Sequence, residues 1–361
     1  MIHAVRRPRV AVLIDRYPQL SETYMRSEIL VLAEQHDVLV FTRKRPSHPY
    51  RRPQRYRRVA DDDLLIEAVR DFGPDVIHAH WLTTAARVAK TARALGVPFT
   101  MRAHSFDLLR GSEAERQARL GSLAPLFCDP LCLGVLAFPF ARASLERAGI
   151  VPEKIRECFP CVDVERFLDH SPNGDRVLNC GAALPKKSFG DFIELAARLP
   201  ELDFDLYLVG YDEDEIAARN RAAGRPVRIR RTVQPDRMPA VYKRHRWLVY
   251  TACPKLGTTG WPMAIAEAQA SGVGVCMRNL RPDLAEYVGP AGFLYDSLDE
   301  VAEILRRPFP EEMREQGFEL ARRADVRIHI RALTDLWRPV LPTHAHACAK
   351  LPPFSAYPSD R

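Results

Sequence analysis

Short runs of apolar residues alternate with segments of helical spacing along nearly the whole chain. Helices are predicted from Ser21, near 62–71 and over 83–94, and the apolar runs between them are RVAVLID, HDVLVFT, VIHAHW, PFTMRAH, LGVLAF and KIREC. Alternation of strands and helices is typical of parallel sheets, because parallel strands need a long crossover connection. The first half of the chain is therefore predicted to form one doubly wound α/β unit.

A second unit of the same kind is predicted after the stretch VDVERFLDHSPNGD, whose Pro, Asn and Gly favour a linker. Its apolar runs are RVLNCGA, FDLYLVG, VRIRRTV, WLVYTA and GVCMRN. The predicted domains are 1–165 and 166–309, followed by helices at 310–340 that pack back across both and a Pro-rich tail at 341–361. Two such units in tandem place a cleft between the carboxyl ends of their strands, where open α/β sheets bind ligands.

The net charge of +7 is concentrated in the segment RKRPSHPYRRPQRYRR at 43–58, which holds eight Arg or Lys and no acid. We predict an exposed loop, either simply solvated or facing an anionic membrane surface. A nucleic-acid role is disfavoured because no nucleic-acid fold signature accompanies the segment. The longest apolar stretch, CLGVLAFPFA, is far shorter than the roughly 20 residues of a membrane span, and the N-terminus does not resemble a signal peptide. A cytoplasmic protein is expected, with peripheral membrane association as an option.

The eight cysteines are expected to be reduced thiols. Metal binding is the alternative for the pairs Cys128/Cys132 and Cys158/Cys161 and for the sequence HAHAC at 344–348, since their spacings resemble those of metal sites. The acidic clusters at 61–63 and 211–215 are predicted to begin helices rather than to hold a metal, because acids suit the positive end of a helix. No G-x-G-x-x-G, P-loop or G-x-S-x-G motif occurs.

Two loops at strand ends of the first unit carry candidate chemistry. The loop DRYPQLSETY is expected to start a helix with Ser21 as its N-cap, so that free backbone amides face an anion. In MRAHSFD, His104 and Asp107 leave the sheet and are expected to be exposed to the cleft. A histidine of the core is the alternative interpretation of His104.

Two more strand-end loops lie in the second unit. GAALPKKSFGDF carries Lys186 and Lys187, whose compact ammonium groups suit a phosphate. In GTTGWPMAIAEAQASG, Pro262 is expected in the first turn of a helix that points its amino end at an anion site. Glu267 follows on this helix among apolar residues, so a buried or ligand-paired carboxylate is expected.

In order and spacing, these loops resemble family 4 of the retaining GT-B glycosyltransferases, particularly exopolysaccharide and lipopolysaccharide enzymes with a P-x-L-S-E-T-[FY] loop. The resemblance extends from residue 9 to about residue 305. The matching stretches are PQLSETY, VIHAHW, RAHSFD, CVDVERF, CGAALPKK, TGWPMAIAEAQASGVGV and AEYVG. It implies two Rossmann-like domains in tandem with the active site in the cleft between them.

The resemblance also implies roles for single residues. His104 would lie against the donor sugar and phosphate, Lys187 would neutralise pyrophosphate, and Glu267 would hold the ribose hydroxyls. The residues implied to bind the donor are Ser21, Glu22, Thr258, Thr259, Gly260, Trp261 and Glu267, with Asp107, Lys186 and Arg278 as possible additions. Three positions depart from the family pattern: Ala182 replaces an arginine, Cys161 a glycine, and Thr259 the first acid of the motif.

The implied activity is transfer of a sugar from a nucleotide diphosphate donor to an acceptor hydroxyl with retention, without a metal or other cofactor. The implied acceptor is a lipid-linked compound or a saccharide in the synthesis of cell-surface polysaccharide or glycoconjugate. Two alternatives stay open: a degenerate, non-catalytic nucleotide-sugar-binding partner of another transferase, and a tailoring glycosyltransferase that acts on a small-molecule acceptor.

Overall fold

The structure is a computed structural model that describes residues 6–230 and 232–341. Its described part contains two parallel sheets, one after the other along the chain, with helices on their faces. The predicted fold class, two doubly wound α/β units in tandem, is confirmed. A search of the same residues finds no helix with the length and apolar character of a membrane span.

The first sheet has seven strands in the order β3-β2-β1-β4-β5-β6-β7, and every neighbouring pair is parallel. Its strands are β1 Arg9–Arg16, β2 Asp37–Lys44, β3 Tyr56–Arg58, β4 Val76–His80, β5 Phe99–Arg102, β6 Cys132–Ala137 and β7 Ile155–Glu157. The central strands are buried on both faces, as expected where helices cover a parallel sheet on both sides.

The second sheet has six parallel strands in the order β10-β9-β8-β11-β12-β13. They are β8 Arg176–Ala183, β9 Phe204–Tyr211, β10 Val227–Arg230, β11 His245–Tyr250, β12 Gly274–Arg278 and β13 Gly292–Tyr295. In both sheets the first strand of the unit lies centrally and the strand order reverses beside it. This reversal opens a crevice at the carboxyl ends of the strands.

The helices connect the strands. They are α1 Thr23–Gln35, α2 Asp62–Phe72, α3 Ala85–Leu95, α4 Ser105–Leu109, α5 Glu113–Phe127, α6 Arg142–Arg147, α7 Val164–Phe167, α8 Phe189–Arg198, α9 Glu213–Ala222, α10 Met238–Lys243, α11 Met263–Ala270, α12 Leu284–Val288, α13 Leu298–Arg306, α14 Glu311–Ala321 and α15 Val326–Trp337. As predicted, both acidic clusters lie at helix starts, and Asp61 caps α2 by accepting from the amides of Asp63 and Leu64.

The two C-terminal helices pack on different units. Helix α14 lies against α11 of the second unit, with Gly317 beside Gln269. Helix α15 lies against α1 and β6 of the first unit, and Trp337 Nε1 donates to Thr100 Oγ1 at 3.0 Å. The chain therefore returns to the first unit after completing the second.

Some elements differ from the predictions. The end of the 43–58 segment is not a loop, because Tyr56–Arg58 pairs with β2 as an edge strand whose residues are all exposed. Helix α1 begins at Thr23 with Glu22 at its N-cap, so Ser21 is not the cap. Pro262 precedes α11 instead of lying in its first turn.

Candidate active site

Loops from the carboxyl ends of both sheets meet in the cleft. A Cβ atom built on Gly260 would lie 2.0 Å from Ser105 Oγ, so the backbone of the GTTG loop contacts the start of α4 directly. Nearby, Thr23 Oγ1 lies 3.8 Å from Met263 Sδ, which joins the first turns of α1 and α11. Only glycine allows such close approach at residue 260, and the two units are in contact along the segment that leads into α11.

Of the residues in the first loop, Glu22 is the more informative. Its half-buried side chain lies at the start of α1. Burial raises the pKa of its carboxyl to about 7, against the opposing charges of Arg16 and Lys186. Lys186 comes from the second unit, so the charge of Lys186 acts on Glu22 from the other unit. Ser21 is half-buried beside Glu22.

His104 and Asp107 are buried instead of exposed to the cleft. The ring of His104 lies between those of Tyr24 and Trp81, with centroids 4.7 and 4.4 Å away, and its Nε2 is 3.1 Å from His80 Nδ1. Burial, together with the charges of His80 and Arg102, holds the pKa of His104 well below its ordinary value. The expectation of an exposed pair is wrong, because the aromatic side chains of Tyr24 in α1 and of Trp81, just after β4, cover His104.

Asp107 has a structural contact with the same loop. Its Oδ2 accepts from the backbone amide of His104 at 2.9 Å, which fixes the turn from β5 into α4. Burial raises the pKa of Asp107 to about 6. The spacing of three residues between His104 and Asp107 is thus explained by helix capping.

The two lysines lie at the carboxyl end of β8. Two hydrogen bonds fix the backbone of this loop. The Thr251 hydroxyl donates to the Lys187 carbonyl at 2.7 Å, and the Cys253 amide donates to the Lys186 carbonyl at 3.0 Å. Lys187 Nζ contacts the Tyr250 hydroxyl and lies 4.1 Å from the centroid of that ring. Burial lowers the pKa of each lysine to about 8, and for Lys186 the charge of Lys187 adds to the effect.

The loop before α11 is closed by an arginine that the sequence analysis did not select. Arg281 donates to the carbonyl of Thr259 and holds both oxygens of Asp283 at 2.8 and 3.0 Å. Thr259 is buried, whereas Thr258 is half-buried. The residue that replaces the family's acid therefore lies next to a cation whose charge Asp283 already balances.

Trp261 lies in an aromatic cluster that joins the two units. Its ring is 3% exposed and stacks on that of Tyr287 with centroids 4.9 Å apart. It also contacts Phe159 and Phe140 of the first unit at 4.9 and 5.8 Å. The ring of Trp261 packs on protein and its Nε1 donates to Asp283 at 2.8 Å, and donor binding by this residue stays a prediction.

Glu267 is a buried carboxylate, as expected from its apolar neighbours. Its Oε2 accepts from the Tyr242 hydroxyl at 2.8 Å, and that hydroxyl lies 3.5 Å from Cys180 Sγ. Burial raises the pKa of Glu267 to about 7. Arg278, the possible substitute for the missing family arginine, lies 5.6 Å above the ring of Tyr295 at the end of β12.

The middle of the 43–58 segment contacts the second unit. The Arg51 amide donates to Gln234 Oε1 at 2.7 Å, and a Cβ built on Gly210 would lie 2.2 Å from the ring of His48. Tyr50 is buried. All eight Arg and Lys side chains of the segment are nevertheless exposed. The segment is thus a surface segment held at several points, with its two ends in β2 and β3, and not a free arm.

The cysteines in the described part of the chain are free thiols. Cys158 and Cys161 are buried, whereas Cys128 is exposed and thus not part of a buried metal site with Cys132. The sequence HAHAC at 344–348 lies outside the described residues. A buried polar group formed by Glu28, His78 and His80 was not predicted, although the H-x-H pattern of VIHAHW could have indicated it.

Comparison with known families assigns both units. Residues 6–156 match the glycosyl transferase 4-like domain, and residues 174–307 match the glycosyl transferases group 1 domain. The chain is a two-domain glycosyltransferase. No curated protein matches it in sequence.

Solved structures share the fold of this glycosyltransferase at low sequence identity. Alr3699/HepE of Anabaena, in complex with UDP and glucose, has a TM-score of 0.72 at 15% identity, with 90% of this chain and 98% of that one covered. Sucrose-phosphate synthase of Thermosynechococcus elongatus has a TM-score of 0.70 at 16% identity, covering 92% and 99%. The lipopolysaccharide outer core galactosyltransferase WaaB, in its apo form, has a TM-score of 0.58 at 13% identity, covering 92% and 100%. These similarities support the GT-B fold.

Proposed function

We propose that the enzyme transfers a sugar from a nucleotide diphosphate donor to an acceptor hydroxyl with retention of configuration. The observation that carries the proposal is the pair Lys186 and Lys187 at the end of β8. Within residues 6–230 and 232–341, neither ammonium group has a carboxylate within 4.0 Å, although burial lowers the pKa of both. Half-buried cations that are not paired in this way favour an anionic ligand, and a diphosphate supplies the charge.

The neighbouring groups suit the rest of such a donor. The carboxyl of Glu267 is proposed to accept hydrogen bonds from the ribose hydroxyls, with Tyr242 holding it in place. Thr258 and the backbone at Gly260 are proposed to contact the donor, as are Ser21 and Glu22. The buried His104 is proposed to form the floor beneath the sugar. A complex of the similar Alr3699/HepE protein contains UDP-glucose, which makes a UDP-sugar the first donor to test.

The proposed mechanism is the front-face reaction of the resembled family. The acceptor hydroxyl attacks the anomeric carbon from the side on which the phosphate departs, so that a new C–O bond forms as the bond to phosphate breaks. An oxygen of the departing phosphate takes the proton. The enzyme then has mainly to stabilise the charge on the leaving diphosphate, which positioned cations provide at several kcal/mol. We therefore propose that the transfer needs no metal or other cofactor.

The acceptor is proposed to be lipid-linked or a saccharide, in the synthesis of cell-surface polysaccharide or glycoconjugate. The support is the exposed basic surface of residues 43–58, whose eight cations suit an anionic membrane. Because the middle of this segment also contacts the second unit, docking at the membrane would place the lipid headgroups near a contact between the two units.

Lys187→Ala tests the proposal. We expect UDP to bind at least about tenfold more weakly by calorimetry, because a charge-assisted contact contributes about 1.5 to 3 kcal/mol. The matched control is Lys90→Ala, which removes an exposed lysine of α3 that pairs with Asp63. Equal UDP affinity in wild type and Lys187→Ala would exclude Lys187 from the diphosphate site. Wild-type protein that binds UDP but transfers no sugar from UDP-, GDP- or ADP-linked donors would support the non-catalytic alternative.

A further inference from the structure

Three ligand-type atoms converge beneath the active-site cleft, between α1 and the first sheet. Glu28 Oε1 lies 2.8 Å from His78 Nε2 and 3.3 Å from His80 Nε2, and all three atoms lie within 4.8 Å of one another. The two histidine side chains are completely buried and that of Glu28 is 2% exposed. The group is separate from the lysines proposed to bind the donor.

The fold brings these residues together for simple geometric reasons. His78 and His80 are two positions apart on β4, and side chains at that spacing project from the same face of a strand. Helix α1 packs over this face of the sheet and contributes Glu28 from its buried side. The convergence thus depends on a contact between segments about fifty residues apart, with Glu28 facing His78 and His80.

The three facing atoms are close enough for Glu28 Oε1 to accept from the histidine Nε2 atoms, but their contacts do not have the angles of good hydrogen bonds. Glu28 Oε1, His78 Nε2 and His80 Nε2 are all buried, and among the described residues none of them has a hydrogen-bond partner of acceptable geometry. Buried polar atoms are almost always satisfied, and each exception requires an explanation such as an ion. Three such atoms directed at one point are the arrangement that a bound cation would satisfy.

The remaining polar atoms of these three side chains have hydrogen-bond partners, as is usual for metal ligands. His78 Nδ1 is 2.9 Å from Thr100 Oγ1, and His80 Nδ1 is 3.1 Å from His104 Nε2. The second oxygen of Glu28 accepts from Arg102 Nη1 at 3.0 Å. Metal-ligating histidines usually have their other ring nitrogen fixed by such a partner, and ligating carboxylates are also hydrogen-bonded.

We infer that Glu28, His78 and His80 bind a divalent transition metal of the Zn²⁺ class. Two imidazoles and one carboxylate are a ligand set that this ion prefers, and three protein ligands leave a fourth position open in a tetrahedral site. A thiol also lies near this group, with Cys161 Sγ 3.6 Å from Glu28 Oε2. Because the site lies behind His104, the metal would tie α1 to β4 and would not contact the donor.

Charge is the main cost of this site. Arg102 already balances Glu28, so a bound dication adds positive charge to a buried place. The guanidinium has a further polar partner, since Nη2 donates to the Phe159 carbonyl at 2.9 Å, and the thiols of Cys158 and Cys161 lie beside it. These contacts spread the charge of Arg102 over several dipoles.

The chain offers a matched control, because the sequence His-Ala-His occurs twice, at 78–80 and at 344–346. The experiment measures zinc by mass spectrometry in full-length protein after gel filtration. The variant His344→Gln/His346→Gln should retain about one zinc ion per chain, and His78→Gln/His80→Gln should retain at least about tenfold less. Binding that follows the tail pair instead of the strand pair would overturn the proposal.

A second measurement keeps the test valid if the strand variant fails to fold. The tail variant, stripped of metal by a chelator and shown by circular dichroism to be folded, is titrated with Co²⁺. A tetrahedral site with nitrogen and oxygen ligands gives visible absorption bands that saturate at about one equivalent and that Zn²⁺ abolishes. A tail variant that shows neither zinc nor Co²⁺ bands would refute the site whatever the fate of the strand variant.

Discussion

The two lysines are expected to give the protein a pH dependence with opposite signs for stability and for UDP binding. Burial lowers the pKa of Lys186 and Lys187 to about 8, whereas an unfolded lysine keeps its ordinary value of 10.5. Between these values the unfolded chain binds more protons than the folded one, so the free energy of unfolding of the ligand-free protein rises with pH. If the lysines bind the diphosphate as proposed, affinity for UDP is expected to fall over the same range, because the cations are lost.

We expect calorimetry and thermal melting from about pH 7 to about pH 9.5 to show these opposite trends. Part of the fall in UDP affinity should disappear in Lys187→Ala, which has no ammonium at this position. A wild-type affinity that stays constant across this range would show that the lysines do not bind the diphosphate as cations.

Glu267→Gln separates the stability and binding roles of the buried carboxyl. Burial raises the pKa of Glu267 from its ordinary 4.5 to about 7, so the folded state binds more protons between these values and wild-type stability falls as pH rises. The neutral amide removes this fall and can still accept from Tyr242. Loss of the charged acceptor should weaken nucleoside diphosphate binding by about 1.5 to 3 kcal/mol.

The control for this substitution is Glu319→Gln, on the exposed face of α14 beside Arg322. It should change neither the pH profile of unfolding nor the affinity. A Glu267→Gln protein with unchanged UDP affinity and increased stability at neutral pH would show a carboxyl without a ligand role.

At the scale of elements, the strands with continuous apolar runs were predictable and the exposed edge was not. RVAVLID and VIHAHW give buried central strands because a parallel sheet covered on both faces needs apolar side chains on both. Tyr56–Arg58 shows no alternation of apolar and polar residues that would indicate a strand. It is a strand because it pairs with the neighbouring β2. Helix α5, which the pattern also missed, contains Pro125.

The site shows the same division between local and distant causes. The lysine loop and the buried Glu267 follow from sequence near each residue, and both are where the strand pattern places them. The burial of His104 and Trp261 depends on aromatic side chains from distant segments, such as Tyr24 and Phe159. A single sequence carries no signal for such contacts.

The basic segment at 43–58 is expected to bind anionic lipid through its edge strand. Arg57 and Arg58 are exposed, and each basic residue near such a surface contributes about 1 kcal/mol. Arg57→Gln/Arg58→Gln should therefore weaken the free energy of binding to phosphatidylglycerol vesicles by about 2 kcal/mol, which is roughly thirtyfold in affinity and is measured by co-sedimentation. Added salt should weaken wild-type binding.

The control replaces two exposed arginines of α9 on the second unit, Arg219→Gln/Arg221→Gln. This change alters the net charge equally but leaves the 43–58 segment intact. Equal losses of vesicle binding in both variants would indicate a response to total charge. Wild-type binding that does not depend on the phosphatidylglycerol content would contradict membrane docking by this segment.

At the scale of the whole molecule, a charged group joins the two units, in addition to the aromatic cluster around Trp261. Asp236 of the second unit accepts from Arg26 of α1 at 2.7 Å and from Arg166 of α7 at 2.8 Å. Arg26 is largely buried, whereas Asp236 is exposed. Removal of the carboxylate would leave a buried guanidinium without this partner, which favours separation of the units.

Asp236→Asn is therefore expected to shift the molecule toward a more open arrangement and to weaken donor binding, because the proposed site combines groups from both units. A shift of about 1 kcal/mol corresponds to about fivefold in the dissociation constant for UDP. Small-angle scattering should show a larger radius of gyration for the variant without UDP, and saturating UDP should reduce the difference. Asp335→Asn, which removes a carboxylate of α15 that pairs with Arg338 just after the end of that helix, is the control and should change neither quantity. If Asp236→Asn binds UDP as tightly as wild type while its radius increases, the donor must be bound by the second unit alone, and Glu22 and His104 of the first unit would have no part in holding it.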